Sequence, residues 1–385
     1  MLKLKFPTIM LALILILSTI STISKSNKLM KYFYVGTYTD GDAKGIYLYK
    51  MNTESGKVDF VSVTENIDNP SYLAIDKQNK YLYAANEVAN FGDSKNGSVS
   101  AFKIMRETHE LKFINKVSSG GAHPCYAAVN DDGNFILAAN YSGGSISIVP
   151  VKNEGGLYDP SDVAQHTGSS INEKRQTAPH AHSAYFGPQQ KFIYAVDLGI
   201  DKVNIYEFDP ENGKLLKNDP AFFKAEPGSG PRHMAFHPNA KFAYLISELN
   251  NKIIALRIDR VNGGLTKIEE YSALPKDFEG TSYCADIHIH PNGKFLYGSN
   301  RGDNSIVIFE IDEESGKLNL VGHESTRGDW PRNFVIDPSG KFLLTANQKS
   351  NDVMIFKINP TTGELIFTNQ TITVPSPACV KFLNE

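Results

Sequence analysis

The chain of 385 residues predicts an all-β fold, a seven-bladed β-propeller of four-stranded antiparallel blades, and three observations carry that reading. First, one phrase recurs: a turn, then a short apolar or aromatic strand ending on a polar residue. It stands at Asp76-Lys-Gln-Asn-Lys-Tyr-Leu-Tyr-Ala-Ala-Asn86, Asn130-Asp-Asp-Gly-Asn-Phe-Ile-Leu-Ala-Ala-Asn140, His237-Pro-Asn-Ala-Lys-Phe-Ala-Tyr-Leu-Ile-Ser247, His290-Pro-Asn-Gly-Lys-Phe-Leu-Tyr-Gly-Ser-Asn300 and Asp337-Pro-Ser-Gly-Lys-Phe-Leu-Leu-Thr-Ala-Asn347, with a looser copy from Gly187 to Asp197. Second, a turn loosely of the type Glu/Asp-x-x-Gly-Lys-Leu precedes Val58, Leu111, Leu157, Leu215, Leu265, Leu318 and Leu365, at intervals of 46 to 58 residues. A period near 50 residues marks a propeller or a repeat array. Third, the chain ends carry complementary halves of one repeat. The segment from Tyr32 to Tyr38 reads as a second blade strand, and Pro377-Ala-Cys-Val-Lys-Phe382 reads as the first strand that it lacks. Pairing the two closes the ring and removes free sheet edges.

Taken in order, the chain opens on Lys3 and Lys5, an apolar run from Ile9 to Leu17, and a Ser/Thr-rich stretch from Ser18 to Ser26. That is the layout of a secretory signal peptide cleaved after Ser24 or Ser26; the alternative is an uncleaved membrane anchor, for which the apolar core is short. No cysteine stands there to take a lipid. Residues 1–27 are read as the leader and residues 28–385 as the propeller. The expectation is an exported, periplasmic protein without stable membrane association after cleavage. Each later repeat reads as four strands joined by turns, with period-2 alternation such as Ser305-Ile-Val-Ile-Phe-Glu-Ile311. Two inserts interrupt the pattern: Asn90 to Ser98, and Lys152 to Thr177 with Tyr158, His166 and Arg175. Long loops on a rigid scaffold often shape a site.

Composition narrows the function. A formal charge of −3 and the lack of a basic run give no nucleic-acid surface. Cys125, Cys284 and Cys379 fall on non-neighbouring blades and read as small buried hydrophobes rather than disulfide partners. A closed propeller needs no partner for stability, so a monomer is expected.

In a blade, the start of the innermost strand and the end of the next antiparallel strand lie on one face. Aligned on the recurring turn, the first inner position holds Ser71, Cys125, His182, Arg232, Ala285, Arg332 and Ala378. The second holds Tyr72, Tyr126, Ser183, His233, Asp286, Asn333 and Cys379. The residue after the second strand is Tyr38, Glu87, Tyr141, Leu198, Glu248, Arg301 or Gln348. Charge breaks the repeat on consecutive blades, and converging arginines favour an anionic ligand because guanidinium pairs bidentately with carboxylate or phosphate. His182, Arg232, Glu248 and Arg301 are the candidate catalytic residues; His233, Asp286, Arg332, Asn333, Gln348 and Glu87 are the candidate substrate-binding ones. The recurring strand-end asparagines read as caps, His237 and His290 as turn residues, and His288 as a structural mid-strand residue. Asp286 equally suits a stabilising ion pair. His180 and His182 share a face but lack a third ligand, so neither metal nor other cofactor is expected.

Gly230-Pro-Arg-His-Met-Ala-Phe-His-Pro238 with Ser247-Glu-Leu-Asn250 resembles a signature of the seven-bladed lactonase family, which includes propeller-type 6-phosphogluconolactonases and an enzyme that lactonizes carboxy-cis,cis-muconate. His182-Ser183, Ala285-Asp-Ile-His-Ile-His-Pro291 with Ser299-Asn-Arg301, and Pro331-Arg332 with Gln348-Lys-Ser350 extend the resemblance over roughly residues 31–385. It implies that a His, an Arg, a Glu and a second Arg carry the chemistry, which by motif are His182, Arg232, Glu248 and Arg301. It implies hydrolysis of a small anionic lactone, 6-phosphoglucono-δ-lactone or a related aldonolactone, with Glu248 or His182 as base. A muconate-type cycloisomerase and a non-catalytic propeller binding an anionic sugar are the alternatives. The leader departs from the cytosolic enzymes of this kind, which serve the pentose phosphate route.

Overall fold

Most inner turns are closed by the side chain that opens them. Asp337 Oδ1 accepts from the backbone N–H groups of Lys341 and Phe342 at 2.8 and 2.7 Å, and Asn130 Oδ1 accepts from Asn134 and Phe135 at 3.0 Å. Such local bonds are why Asp and Asn favour turns. Where His replaces them, Nε2 reaches the next blade: His237 donates to Gly293 O at 2.9 Å and His290 to Gly340 O at 2.8 Å. Both histidines are turn residues, as expected.

The computed structural model describes residues 29–384. Among them, seven four-stranded antiparallel sheets form the expected propeller. We number the blades along the chain. Blade 1 is composite: Pro377–Phe382 supplies its inner strand and Met30–Thr37, Gly45–Asn52 and Val58–Glu65 the rest. Closure pairs Tyr34 with Lys381, Val35 with Val380 and Gly36 with Cys379. Phe33, Val35, Val380 and Phe382 then pack with Leu344 and Ile355 of blade 7 in one buried cluster. Among the described residues no helix is long and apolar enough to cross a membrane. The leader expectation lies outside the described residues.

The blades are tied edge to edge by a repeated device. Tyr194, Tyr244 and Tyr297 donate their hydroxyls to Gly263, Gly316 and Gly363 carbonyls in the outer turn of the following blade, at 2.9, 3.0 and 2.8 Å. The turn must lie flat on the preceding blade. A Cβ at Gly263 would stand 2.7 Å from the Phe192 ring, and the glycine has φ +74°, which side chains rarely adopt. The second-strand tyrosines and outer-turn glycines of the sequence repeat are thus one contact.

One element departs from expectation. The outer strand of blade 3 does not start at Leu157; it is Asp162–Gln165, only four residues long. Leu157 is buried and forms an isolated bridge with Val151. The insert lengthened the turn, so the apolar residue that starts an outer strand elsewhere here anchors a loop. All three cysteines are free and buried.

Candidate active site

Two consecutive residues of a regular strand point to opposite faces. Here the first and second inner positions both reach the axis, because every blade carries a β-bulge at that point. Register skips from Pro231 to His233 past Arg232, from Ala181 to Ser183 past His182, and from Pro331 to Asn333 past Arg332. The same skip passes Ser71, Cys125 and Ala378, and blade 6 skips both Ala285 and Asp286. A bulge re-aims a side chain at the cost of one ladder pair. The chemistry-bearing residues of the first position sit on these bulges.

The upper mouth of the channel is a chamber of 190 Å³ lined by Tyr38, Glu87, Cys125, Tyr141, Arg175, His182, Glu248, Arg301 and Arg332. Arg232 lies beneath it, 2 % exposed. A larger hollow of 780 Å³ on the perimeter, among Tyr81, Lys103, Arg106 and His109, has no acidic residue in its wall. The convergent polar groups are at the axis.

Glu248 is the hub of the chamber. Its Oε1 accepts from Arg175 Nη2 at 2.6 Å, and its Oε2 accepts from Arg301 Nη2 at 2.7 Å. Arg232 Nε stands 3.2 Å from the same Oε2, at ion-pair distance but not aligned for a hydrogen bond. Burial would raise the Glu248 carboxyl, but Arg301, Arg232 and Arg175 outweigh it and hold it at about 2. Glu248 is therefore anionic at neutral pH, with its lone pairs spent on guanidiniums. Arg301 also donates to Cys284 O at 3.1 Å and lies over the Trp330 ring. Burial, then Arg301 and Arg332, lower Arg232 to about 10, and its Nη1 donates to Ala285 O.

His182 has the opposite character. Burial, then Arg232, His233 and Arg332, push its pKa well below the usual histidine range, so the ring is neutral. Its Nδ1 sits 3.7 Å from Cys125 Sγ, and Tyr141 packs edge-on against it. Among the described residues Nε2 has no hydrogen-bond partner. Among the described residues Arg332 makes no side-chain hydrogen bond; it lies over Tyr38 and meets Glu87 at only 3.8 Å. Tyr38 donates to Glu87 at 2.6 Å and so aims that carboxylate.

The other expected residues separate. His233, Asp286 and Asn333 form a buried layer below the chamber. His233 Nδ1 donates to Asp286 Oδ1 at 2.7 Å, Asn333 Nδ2 donates to Oδ2, and Asn333 Oδ1 accepts from Val380 N at 2.7 Å. Burial would raise Asp286, yet His288 and His233 hold it well below the carboxylate range. Burial, then Arg232, lower His233 to about 4. Gln348 is half-buried, bonded through its backbone to Trp330 O, and does not line the chamber. His288 donates to Asp286 Oδ2 at 3.0 Å. Among the described residues no group could hold a metal ion; His180 Nδ1 bonds Tyr141 O at 3.1 Å.

Arg175, Tyr141 and Tyr38 were not singled out as site residues by the sequence. Arg175 arrives on the long insert, which two carboxylates fasten. His166 Nδ1 donates to Asp197 at 2.6 Å. Asp201 accepts from Gln176 Nε2 at 2.8 Å and from Ser170 Oγ, both on the insert, and from Gly228 N and Gly230 N, each at 2.7 Å. One carboxylate thus joins the loop that carries Arg175 to the turn that leads into Arg232.

A family model described as a lactonase, 7-bladed beta-propeller, matches residues 32–382. The 6-phosphogluconolactonase of Bacillus subtilis (strain 168) is 39% identical over 352 residues, 91% of this chain and 98% of that protein. A protein of the same name from Formosa agariphila is 39% identical over 79% of this chain and 86% of its own length. The periplasmic gluconolactonase of Pseudomonas aeruginosa superposes with a TM-score of 0.87 at 34% identity, covering 92% of this chain and 99% of that one.

Proposed function

Because the chain belongs to the seven-bladed β-propeller lactonase family, we propose that it hydrolyses a sugar-derived lactone, of the 6-phosphoglucono-δ-lactone or related aldonolactone type, in the upper chamber. The observation that carries this reading is the division of labour between His182 and Glu248. Hydrolysis needs a base that is unprotonated at working pH with a lone pair to spare, and the His182 ring is unprotonated with Nε2 open to the chamber. Glu248 is a poor base, since three arginines hold its charge. Its role is to gather those arginines.

His182 Nε2 takes a proton from water as the oxygen attacks the lactone carbonyl. Arg301 and Arg175, held on Glu248, supply fixed positive charge for the oxyanion; such preorganised charge is often the largest catalytic term. Collapse breaks the ring C–O bond, and His182 returns its proton to the departing alkoxide. The product is a hydroxy acid, which ionises and leaves as a carboxylate. Four guanidiniums facing Glu248 and Glu87 leave the site net positive, which suits an anionic product. Arg332, with its donors unspent, takes a distal phosphate or carboxylate.

Plain gluconolactone is the second reading. The leader-like N-terminus and the Pseudomonas relative's printed activity favour it. The deciding experiment measures hydrolysis of fresh 6-phosphoglucono-δ-lactone and glucono-δ-lactone, each corrected for spontaneous opening, by protein lacking residues 1–26. Acceleration of the phosphorylated lactone alone supports the first reading, and acceleration of the plain lactone the second. Acceleration of neither overturns both in favour of a muconate-type cycloisomerase or a binding propeller.

A further inference from the structure

We propose a second ligand site at the opposite mouth of the channel, one that takes a small carboxylate with a flat, carbon-rich face. The fourth inner-strand position furnishes that mouth. It holds Ala74, Ala128, Ala235 and Val335 on four blades, and Tyr185, His288 and Lys381 on the other three. Small residues hollow this end of the channel, and the three exceptions furnish it. The result is a cavity of 370 Å³, bounded by Tyr72, Tyr126, Tyr185, His288, Lys381 and Phe236 among others. That is the size range of small-molecule pockets, which are largely apolar with a few placed polar groups.

Its chemistry is specific. Tyr72 and Tyr126 stack with ring centroids 4.2 Å apart, and Tyr185 lies 5.0 Å from Tyr126, giving a broad aromatic wall. Lys381 Nζ stands 5.2 Å from the Tyr72 ring centroid and has no carboxylate within ion-pair distance among the described residues. His288 spends Nε2 on Asp286, and among the described residues its Nδ1 has no partner. Asp286, the one carboxylate in the wall, is already engaged by His233, His288, Asn333 and Ile287 N, so it is poorly placed to take a ligand cation. A free ammonium beside stacked rings selects an anion with a planar body.

This mouth is not a back door to the upper chamber. Between the two lies a layer of Ser71, Cys125, Arg232, His233, Asn333 and Ala378 around a void of 10 Å³. That volume holds about one water. The two mouths therefore take separate ligands, and this proposal stands whether or not the lactonase reading does.

Benzoate is the probe, with benzyl alcohol as the uncharged control, titrated calorimetrically into the full chain. Saturable 1:1 binding of benzoate is expected, with much weaker binding of the alcohol. Loss of a charge-assisted bond predicts binding about tenfold weaker in Lys381→Gln. Ala235→Phe, which fills the cavity from the other side, weakens it independently of charge. Arg332→Gln, at the upper mouth, leaves it unchanged. Undetectable benzoate binding, or binding that survives Lys381→Gln and Ala235→Phe, overturns the proposal. Binding that depends on Arg332 instead overturns it by placing the anion at the upper mouth.

Discussion

Replacing Glu248 by Gln keeps the shape of the side chain and removes its charge. In the native chamber that charge meets Arg175 at 2.6 Å, Arg301 at 2.7 Å and Arg232 at 3.2 Å. Arg232 and Arg301 are almost wholly buried, so the variant leaves two desolvated guanidiniums facing each other without a counter-ion. Removing one partner of a buried ion pair costs about 3–5 kcal/mol. For a domain of this length the specific unfolding entropy converts that to a midpoint roughly 4–7 °C lower. Calorimetry at pH 7 measures it directly. Added phosphate, which can occupy the vacated anion position, should restore much of the loss in the variant and little in wild type. The sign with pH is fixed too. Glu248 has a depressed folded pKa of about 2 against an ordinary 4.5, so its stabilisation is full above 4.5 and is lost as pH falls toward 2. The gap between variant and wild type must therefore narrow in that window. A midpoint unchanged at pH 7, with no response to phosphate, would refute the hub assignment.

Activity offers further tests. If His182 is the base, kcat/KM holds as pH falls through 6.5 and declines only below it, because burial and the neighbouring arginines lower its pKa; a decline centred at or above 6.5 would contradict the assignment. His182→Asn should reduce turnover by about 10²–10⁴-fold and abolish that acidic limb. Arg301→Ala should cut kcat by on the order of 10²–10³ while the fold persists, as removal of an oxyanion donor does, and unchanged hydrolysis would remove Arg301 from the chemistry. Arg332→Gln should raise KM for a phosphorylated lactone and leave the plain lactone nearly unaffected; equal effects on both would place Arg332 on the reacting group. Tyr297→Phe removes one inter-blade hydrogen bond and should lower stability by about 1 kcal/mol, read from denaturant midpoints, with no change in kcat.

The architecture was legible because a propeller repeats its physics. Most blades reuse one inner turn, a buried second-strand tyrosine and an outer-turn glycine, so a period appears even where identity is low. The closing strand was legible for the same reason, since Pro377–Phe382 is a half-repeat without its partner. The candidate site was legible only where it departs from the period: His182, Arg232, Glu248 and Arg301 are charges or imidazoles at positions that most sister blades fill otherwise. His233, Asp286 and Asn333 satisfied the same test but face one another below the chamber. Pattern breaking finds axial polar residues without telling a ligand contact from a buried network. Arg175 lies on an insert with no sister positions, so no repeat could flag it. Asp201, which fastens that insert through Ser170 and Gln176, sits in a turn where Asn is the repeat residue, as Asn251, Asn304 and Asn351 show.

The bulge explains how a symmetric ring carries an asymmetric site. If the inner strands were regular, the first and second positions would alternate, and Arg232 or His182 would point between sheets, where a charge is costly. With a bulge in every blade, the first position faces the axis whether or not it carries function. Ala378 and Ser71 occupy it at no cost, and Cys125 does so as a small buried thiol. Polar residues can then be placed blade by blade without altering the ladder that holds the ring. The scaffold supplies seven equivalent sockets, and the choice of occupant on blades 4 to 7 sets the chemistry of the upper mouth. The fourth position, below the bulge, returns to ordinary alternation and offers a second row of sockets. Tyr185, His288 and Lys381 use that row in the way that His182, Arg232 and Arg332 use the first.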